Sequence, residues 1–366
     1  MEEAFLALVR LGIGNAATEK LPNHIDWDEV EALAEKQGML GIIYDAVQEL
    51  KSLSKSSQVN LPPQTTWLRI MGKVMQGYEQ QYVLYRKAVV DLGAWYHAHV
   101  YRMMVLKGLA CGVNWPKPEH RPYGDIDIYL FGRYKEADAE MVSSFKIQDP
   151  SFKIDNSHHH HTVFQWQGFS VENHYDFINV HHQKSNTELE TIFKELAFQE
   201  TSSILHNPLN ISLPSPNLQA LFLIKHLASH FSTERITLRQ VLDWGFFVEK
   251  HGFEVDCEWL RPLLVQFHMD EFIGCINLIC VEDLGFDKHA FYGLPGASSE
   301  LKERILNDIL KPEFSELEPK HVWKRIPFKY RRWKANEWKH ELCYNESMRS
   351  SFWSGVKNHL MKPAQI

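Results

Sequence analysis

Apolar positions recur at helical spacing over the first hundred residues, and near Met103 the period changes. Val30, Leu33, Ala34, Leu40 and Ile43 recur roughly every third or fourth residue, the stripe that an amphipathic helix turns toward a core. Asp26-Trp27-Asp28-Glu29 comes just before and reads as a capped start. The Asp26 carboxylate can accept a free backbone N–H, and Glu29 can reach back to it. A polar stretch from Lys51 to Asn60 ends at Pro62-Pro63, and the pattern then predicts a long helix from about Thr66 to Val100.

From Met103 the texture is that of strands. Met103-Met104-Val105-Leu106 is a short apolar run that stops at Lys107-Gly108. Asp125 to Leu130 alternates, with Asp125 and Asp127 on one side and Ile126 and Ile128 on the other. A helix is predicted from about Tyr134 to Phe145. Thr162 to Trp166 and Phe169 to Phe177 then read as two strands joined by a tight turn at Gln167-Gly168. Helical spacing returns near Thr187 and lasts to the end, with helices expected near 218–231, 237–250, 257–267 and 301–310. The expected architecture is α+β: a small mixed sheet over 101–186, embedded in an N-terminal helical region, 1–100, and a C-terminal one, 187–366.

Composition narrows the function classes. At 44% hydrophobic and 23% charged the chain reads as a soluble globular protein, and eleven Trp favour well-filled helical interfaces. A net charge of -7 argues against a surface that binds nucleic acid all over, while leaving room for a local basic patch. Cys111, Cys257, Cys275, Cys280 and Cys343 show no CxxC spacing, so buried free thiols are expected rather than a zinc ribbon or a disulfide framework. Met1-Glu2-Glu3-Ala4 has no basic leader region, and apolar runs such as 272–281 fall short of the ~20 residues of a membrane span. A cytoplasmic location with no membrane partner is the expectation.

The candidate chemistry lies in Lys107-Gly108 and in Arg121-Pro122-Tyr123-Gly124-Asp125-Ile126-Asp127. Carboxylates at i and i+2 of a strand point the same way, and two anions held that close repel unless a cation lies between them. Mg²⁺, a hard cation that takes carboxylates together with substrate phosphates, suits such a pair. Glu172 is the best third carboxylate. Within Ser170-Val171-Glu172-Asn173-His174-Tyr175-Asp176 it shares a face with His174 and Asp176.

This arrangement resembles the nucleotidyltransferases of the DNA polymerase β superfamily. More closely, it looks like a bacterial family of uncharacterised nucleotidyltransferases, with Lys-Gly after a strand, an Arg shortly before Gly-Asp-Ile-Asp, and a later acidic strand rich in His. The motifs span about Met103 to His182, and Asp26-Trp27, His226, His230, Arg239 and Asp243 also fit the family's habits. The resemblance implies transfer of a nucleoside monophosphate from an NTP to an acceptor with pyrophosphate release, dependent on Mg²⁺ or Mn²⁺. It implies Asp125, Asp127 and Glu172 as catalytic and metal-binding residues, and Lys107, Gly108, Arg121 and Gly124 around the nucleotide. The chain departs from the superfamily in having Leu109 after Gly108, where many relatives have Ser or Gly, and a Glu at the third acidic position.

Plainer readings stand beside these. Lys107 suits a solvated strand end, Arg121 a structural pair with Asp125 or Asp127, and Gly124 a tight turn. His158 to His161 suits cleft-lining imidazoles near the site, or with other ligands a transition-metal position. His226 and His230 suit a helix interior. Arg239 and Asp243, one turn apart, suit an ion pair. The basic, aromatic stretch 320–340 suits an RNA or DNA acceptor, and also an amphipathic segment whose aromatics pack while its cations stay wet. A non-catalytic nucleotide- or metal-binding regulatory module is the alternative from another class.

Overall fold

The computed structural model describes residues 1–15, 21, 22, 24–53, 60–147, 149–181, 183–199, 204–206, 211–314, 319 and 321–347. The architecture is α+β, a mostly helical chain around one small mixed sheet. It divides into two compact units that are each discontinuous in sequence. One holds Met1–Tyr82, Asn114–Pro122 and Leu223–Tyr344; the other holds Val83–Val113, Tyr123–Phe222 and the described residues from Asn345.

The first unit is helical among its described residues. Asp26 caps the helix Trp27–Gln37 as its sequence suggests, accepting from the backbone N–H groups of Asp28 and Glu29. The expected helix of residues 66–100 forms as Gln64–Lys73, a π-helical piece Val74–Glu79, and Gln80–Ala98, whose residues from Val83 belong to the second unit. Thr237 and Gln240 form a capping box at the start of Leu238–His251. The helices Cys257–Gln266 and Ser299–Leu310 lie where periodicity puts them. Residues 54–59 of the polar stretch, the residue Lys320, and the side chains of 322–326 and 329 in the basic stretch lie outside the described residues. Of the rest of that stretch, Phe328 is buried, while Tyr330, Arg331 and Lys334 are exposed. The Lys339 Nζ donates to Asp308 Oδ2 at 2.5 Å in the interior. Packed aromatics and wet cations are thus both present there.

The second unit carries the whole sheet: β1 (Met103–Val105), β2 (Ile126–Tyr129), β3 (His161–Trp166), β4 (Phe169–His174), β5 (Ile204–His206) and β6 (Ile211–Ser212). Their spatial order is β3-β4-β2-β1-β6-β5. β4 runs parallel to β2 and antiparallel to β3, and β1 lies antiparallel to β2 and parallel to β6. β5 and β6 are additions, since helical spacing dominates that part of the sequence. At the β3–β4 turn Gln167 and Gly168 have φ of 49° and 87°, the left-handed pair that lets two residues close a twisted hairpin.

Strand alternation gives this sheet two different faces. On one, Ile126, Ile128, Phe164 and Val171 are buried. The helix Tyr134–Phe145 belongs to this side, and its Asp138 accepts from Thr162 Oγ1 at 2.7 Å and Asn173 Nδ2 at 2.9 Å. The other face carries Asp127, Glu172, His174 and His161. Beyond β4, Phe177 packs against Phe193 and Phe222, and both oxygens of buried Glu190 accept the N–H groups of Phe177 and Ile178. No described helix is long and apolar enough to cross a membrane. Four of the five cysteines are buried, and Cys257 is half-buried.

Candidate functional site

Register builds the site. β2 and β4 are parallel, and Asp127 is the partner of Glu172 while Tyr129 is the partner of His174, so both acidic side chains leave the sheet on the same face. The antiparallel β3–β4 pair sets His161 opposite His174. Asp127 and His174 are buried, Glu172 is half-buried, and Asp125, one residue before β2, is exposed.

Oppositely charged groups surround Asp127. Lys107 Nζ stands 2.6 Å from its Oδ1, and His174 Nε2 lies 3.2 Å from the same oxygen. Burial alone would raise the Asp127 carboxyl, but the Lys107 ammonium and the His174 ring outweigh it and hold the group far below the usual carboxylate range. The same contacts act in return. Burial disfavours charge on His174 and Lys107, yet the carboxylates win and raise both. His174 donates from both nitrogens in this state, since its Nδ1 also lies 3.2 Å from the Asp176 carbonyl.

Glu172 Oε2 is 3.6 Å from His174 Nε2, and Oε1 is 3.9 Å from His161 Nε2. One donor atom each of Asp127, Glu172 and His174 lie within 4.8 Å of one another, a geometry that can hold a metal ion. Asp125 stands beside this group. Lost hydration, then the Glu172 and Asp127 charges, push its carboxyl up. Its backbone carbonyl accepts from Tyr85 Oη at 2.9 Å.

Gly108 has a φ of +57°, and a Cβ added there would meet the Tyr85 hydroxyl at 2.0 Å. A close approach by Tyr85 therefore accounts for the glycine, a contact that no local sequence signal reveals. Gly124 is exposed, has no positive φ, and an added Cβ would meet open space. Arg121 lies in the first unit, where its Nε and Nη2 donate to the two oxygens of Asp243 at 2.7 and 2.9 Å. Trp115 Nε1 donates to Asp243 as well, at 2.8 Å. The structure thus brings Lys107, Asp127 and Glu172 together, sets Asp125 and Gly108 alongside, and gives Arg121 a structural partner other than Asp125 or Asp127.

Sequence reasoning placed His174 on the Glu172 face but missed its bond to Asp127 and the pairing of Lys107 with Asp127. The His-rich tract lies at this site. The His160 and His161 rings have centroids 5.4 and 5.2 Å from that of His174. Burial first, and then neighbouring cations, push His160 down to about 2. Burial also brings His161 down to about 4, against the pull of Glu172, so both rings are neutral near pH 7. His226 and His230 pack edge to face, with centroids 4.4 Å apart, in the first unit.

A mixed sheet with a carboxylate pair of which Asp127 is buried, a paired lysine and a rim of imidazoles defines an α+β protein built around a charged, metal-competent centre. The chain belongs to the family of uncharacterised nucleotidyltransferases, whose family model matches residues 23–285. That match contains every candidate site residue, from Lys107 to Glu172. No curated protein and no solved structure matches the chain.

Proposed function

We propose that this chain transfers a nucleoside monophosphate from an NTP to an acceptor hydroxyl, with release of pyrophosphate, and that Mg²⁺ or Mn²⁺ supports the reaction. The observation that carries the reading is the placing of Asp127 against Glu172 across parallel strands, beside Lys107, in a chain of this family. Two carboxylates within 4.8 Å of each other offer the oxygen donors that a hard cation takes, so the residues fit the ion. Asp127 and Glu172 would hold it, with Asp125 adjacent, and when bound it neutralises phosphate oxygens during an in-line displacement.

The chain's own residues would do the rest. Lys107 exchanges part of its pairing with Asp127 for a phosphate oxygen and offsets the charge gathered there. Glu172, the less buried of the two carboxylates, accepts the proton of the acceptor hydroxyl. A bond then forms between that oxygen and the α-phosphorus, and the bond from α-phosphorus to pyrophosphate breaks. Gly108 and Gly124 stay in the proposal as backbone near the nucleotide. Arg121, committed to Asp243, acts as a support for the chain around residue 122.

A second reading has a specific observation in its favour. Asp127 already has both a lysine and a histidine to neutralise it, as in a degenerate centre that binds nucleotide or metal and regulates a partner. Incubation with α-labelled NTPs, Mg²⁺ or Mn²⁺ and cell extract separates the two. Label carried by a small molecule, a protein hydroxyl or an RNA end, and lost with Asp125→Asn/Asp127→Asn, supports transfer and reveals the acceptor. Bound NTP with no labelled product supports the regulatory module.

A further inference from the structure

The imidazoles on the β3 side of the site have no role in nucleotidyl transfer as proposed above. One ring nitrogen each of His160, His161 and His174 lie within 4.8 Å of one another. Backbone holds the group in place: His161 is paired with His174 across the β3–β4 ladder, and the His160 carbonyl accepts the N–H groups of Tyr175 and Asp176 at 3.0 and 3.1 Å. The Nδ1 atoms of His160 and His161 are buried and make no hydrogen bond. A buried polar atom left in that state costs about 1–3 kcal/mol, a cost that a bound ion removes.

Glu172 borders the group on the Nε2 side of His161 and His174. Its two oxygens lie 3.9 Å from His161 Nε2 and 3.6 Å from His174 Nε2. Around a tetrahedral ion with bonds of about 2.0–2.1 Å, ligand atoms stand roughly 3.4 Å apart, so small side-chain rotations bring these donors to coordination distance. His174 Nδ1, held by the Asp176 carbonyl at 3.2 Å, has the outer contact that orients a ligating imidazole, and the ion displaces the Nε2 proton that otherwise bonds Asp127. Three imidazoles and one carboxylate suit a borderline ion such as Zn²⁺, whereas Mg²⁺ prefers oxygen donors alone.

We propose that His160, His161, His174 and Glu172 bind one transition-metal ion of the Zn²⁺ class. This position shares Glu172 with the carboxylate pair but draws its selectivity from the histidines. Both positions use Glu172, so Zn²⁺ binding is read by stoichiometry and spectrum, apart from nucleotide transfer.

The test uses the full chain, stripped of metal and titrated with Zn²⁺ or Co²⁺ in the presence of excess Mg²⁺. One Zn²⁺ per chain is expected to bind despite the Mg²⁺, and Co²⁺ is expected to give the intense visible bands of a four-coordinate ion. His160→Asn/His161→Asn should weaken Zn²⁺ binding by more than the roughly 10–100-fold that loss of an outer-shell contact causes. Its metal-free unfolding curve should match that of the unsubstituted chain. Substoichiometric Zn²⁺, the pale bands of six-coordinate Co²⁺, or unchanged affinity in a folded double variant would each overturn the proposal. Because the Co²⁺ spectrum is read on the unsubstituted chain, a variant that fails to fold leaves that test decisive.

Discussion

Lys107 Nζ lies 2.6 Å from Asp127 Oδ1, so the residue just past β1 neutralises the buried carboxylate of β2. Removing the cation strands that carboxylate, because breaking a buried pair leaves an uncompensated charge. Lys107→Met should lower stability by about 3 kcal/mol. The Lys107→Met/Asp127→Asn double variant should lose much less than the sum of its single changes, since the two groups share one interaction. Denaturant unfolding of the four proteins measures this coupling. Additive losses would mean that the pair contributes little.

Gly108 provides a second cycle, in the same unit. An alanine at this position would carry a Cβ at 2.0 Å from the Tyr85 hydroxyl and would hold a positive φ. That backbone, at φ 57° and ψ -105°, lies outside the left-handed helical well and costs roughly 1–3 kcal/mol for a residue with a side chain, and the clash adds to it. Gly108→Ala should therefore destabilise clearly, and Tyr85→Phe in the same chain should restore part of the loss by removing the struck oxygen. Equal losses with and without that oxygen would place the strain in the backbone alone.

Asp243 holds Arg121 by two charge-assisted bonds and also accepts from Trp115. Asp243→Ala should cost about 3–5 kcal/mol, because it leaves a guanidinium buried and unpaired. Arg121→Lys should recover little of the native stability, because an ammonium cannot span both oxygens. Thermal melts of the two variants check both statements.

Glu190 supplies a pH dependence. Burial, more than the nearby Asp176 charge, pushes its carboxyl up to about 7 from an ordinary 4.5, while the Phe177 and Ile178 N–H groups pull the other way. The folded chain keeps a proton there that the unfolded chain has lost. Its contribution to stability is therefore full below about 4.5 and declines as pH rises toward 7, by up to about 3 kcal/mol at 1.36 kcal/mol per unit. Unfolding midpoints at about pH 5 and about pH 8 should differ in this sense, and Glu190→Gln should flatten the difference. An unchanged slope in that variant would assign the dependence to another group.

The parts of the site that depend on local spacing were legible before the structure. Alternation put Asp125 and Asp127 on one side of a strand, and Glu172 and His174 on one side of another. The Asp26 cap and the helix Tyr134–Phe145 formed where their residues indicate. The two-residue turn at Gln167-Gly168 even held an unused signal. Six residues back on one arm is His161 and six forward on the other is His174, so the turn alone implies that they face each other.

Long-range pairings left no such trace. Tyr85 beneath Gly108, Asp243 around Arg121, and β6 beside β1 join segments whose meeting depends on the whole topology. β6 is two residues long and supports no visible alternation. The pairing of Lys107 with Asp127 depends on the antiparallel register of β1 and β2, which no short turn fixes.

The most direct test of the central claim is pyrophosphate release from each of the four NTPs with Mg²⁺ or Mn²⁺ and an acceptor pool, set beside a folded Asp127→Asn variant. Release that requires the divalent ion and disappears in the variant is the expected result. Release that persists without Asp127, or no release alongside firm NTP binding, would contradict transfer at this centre.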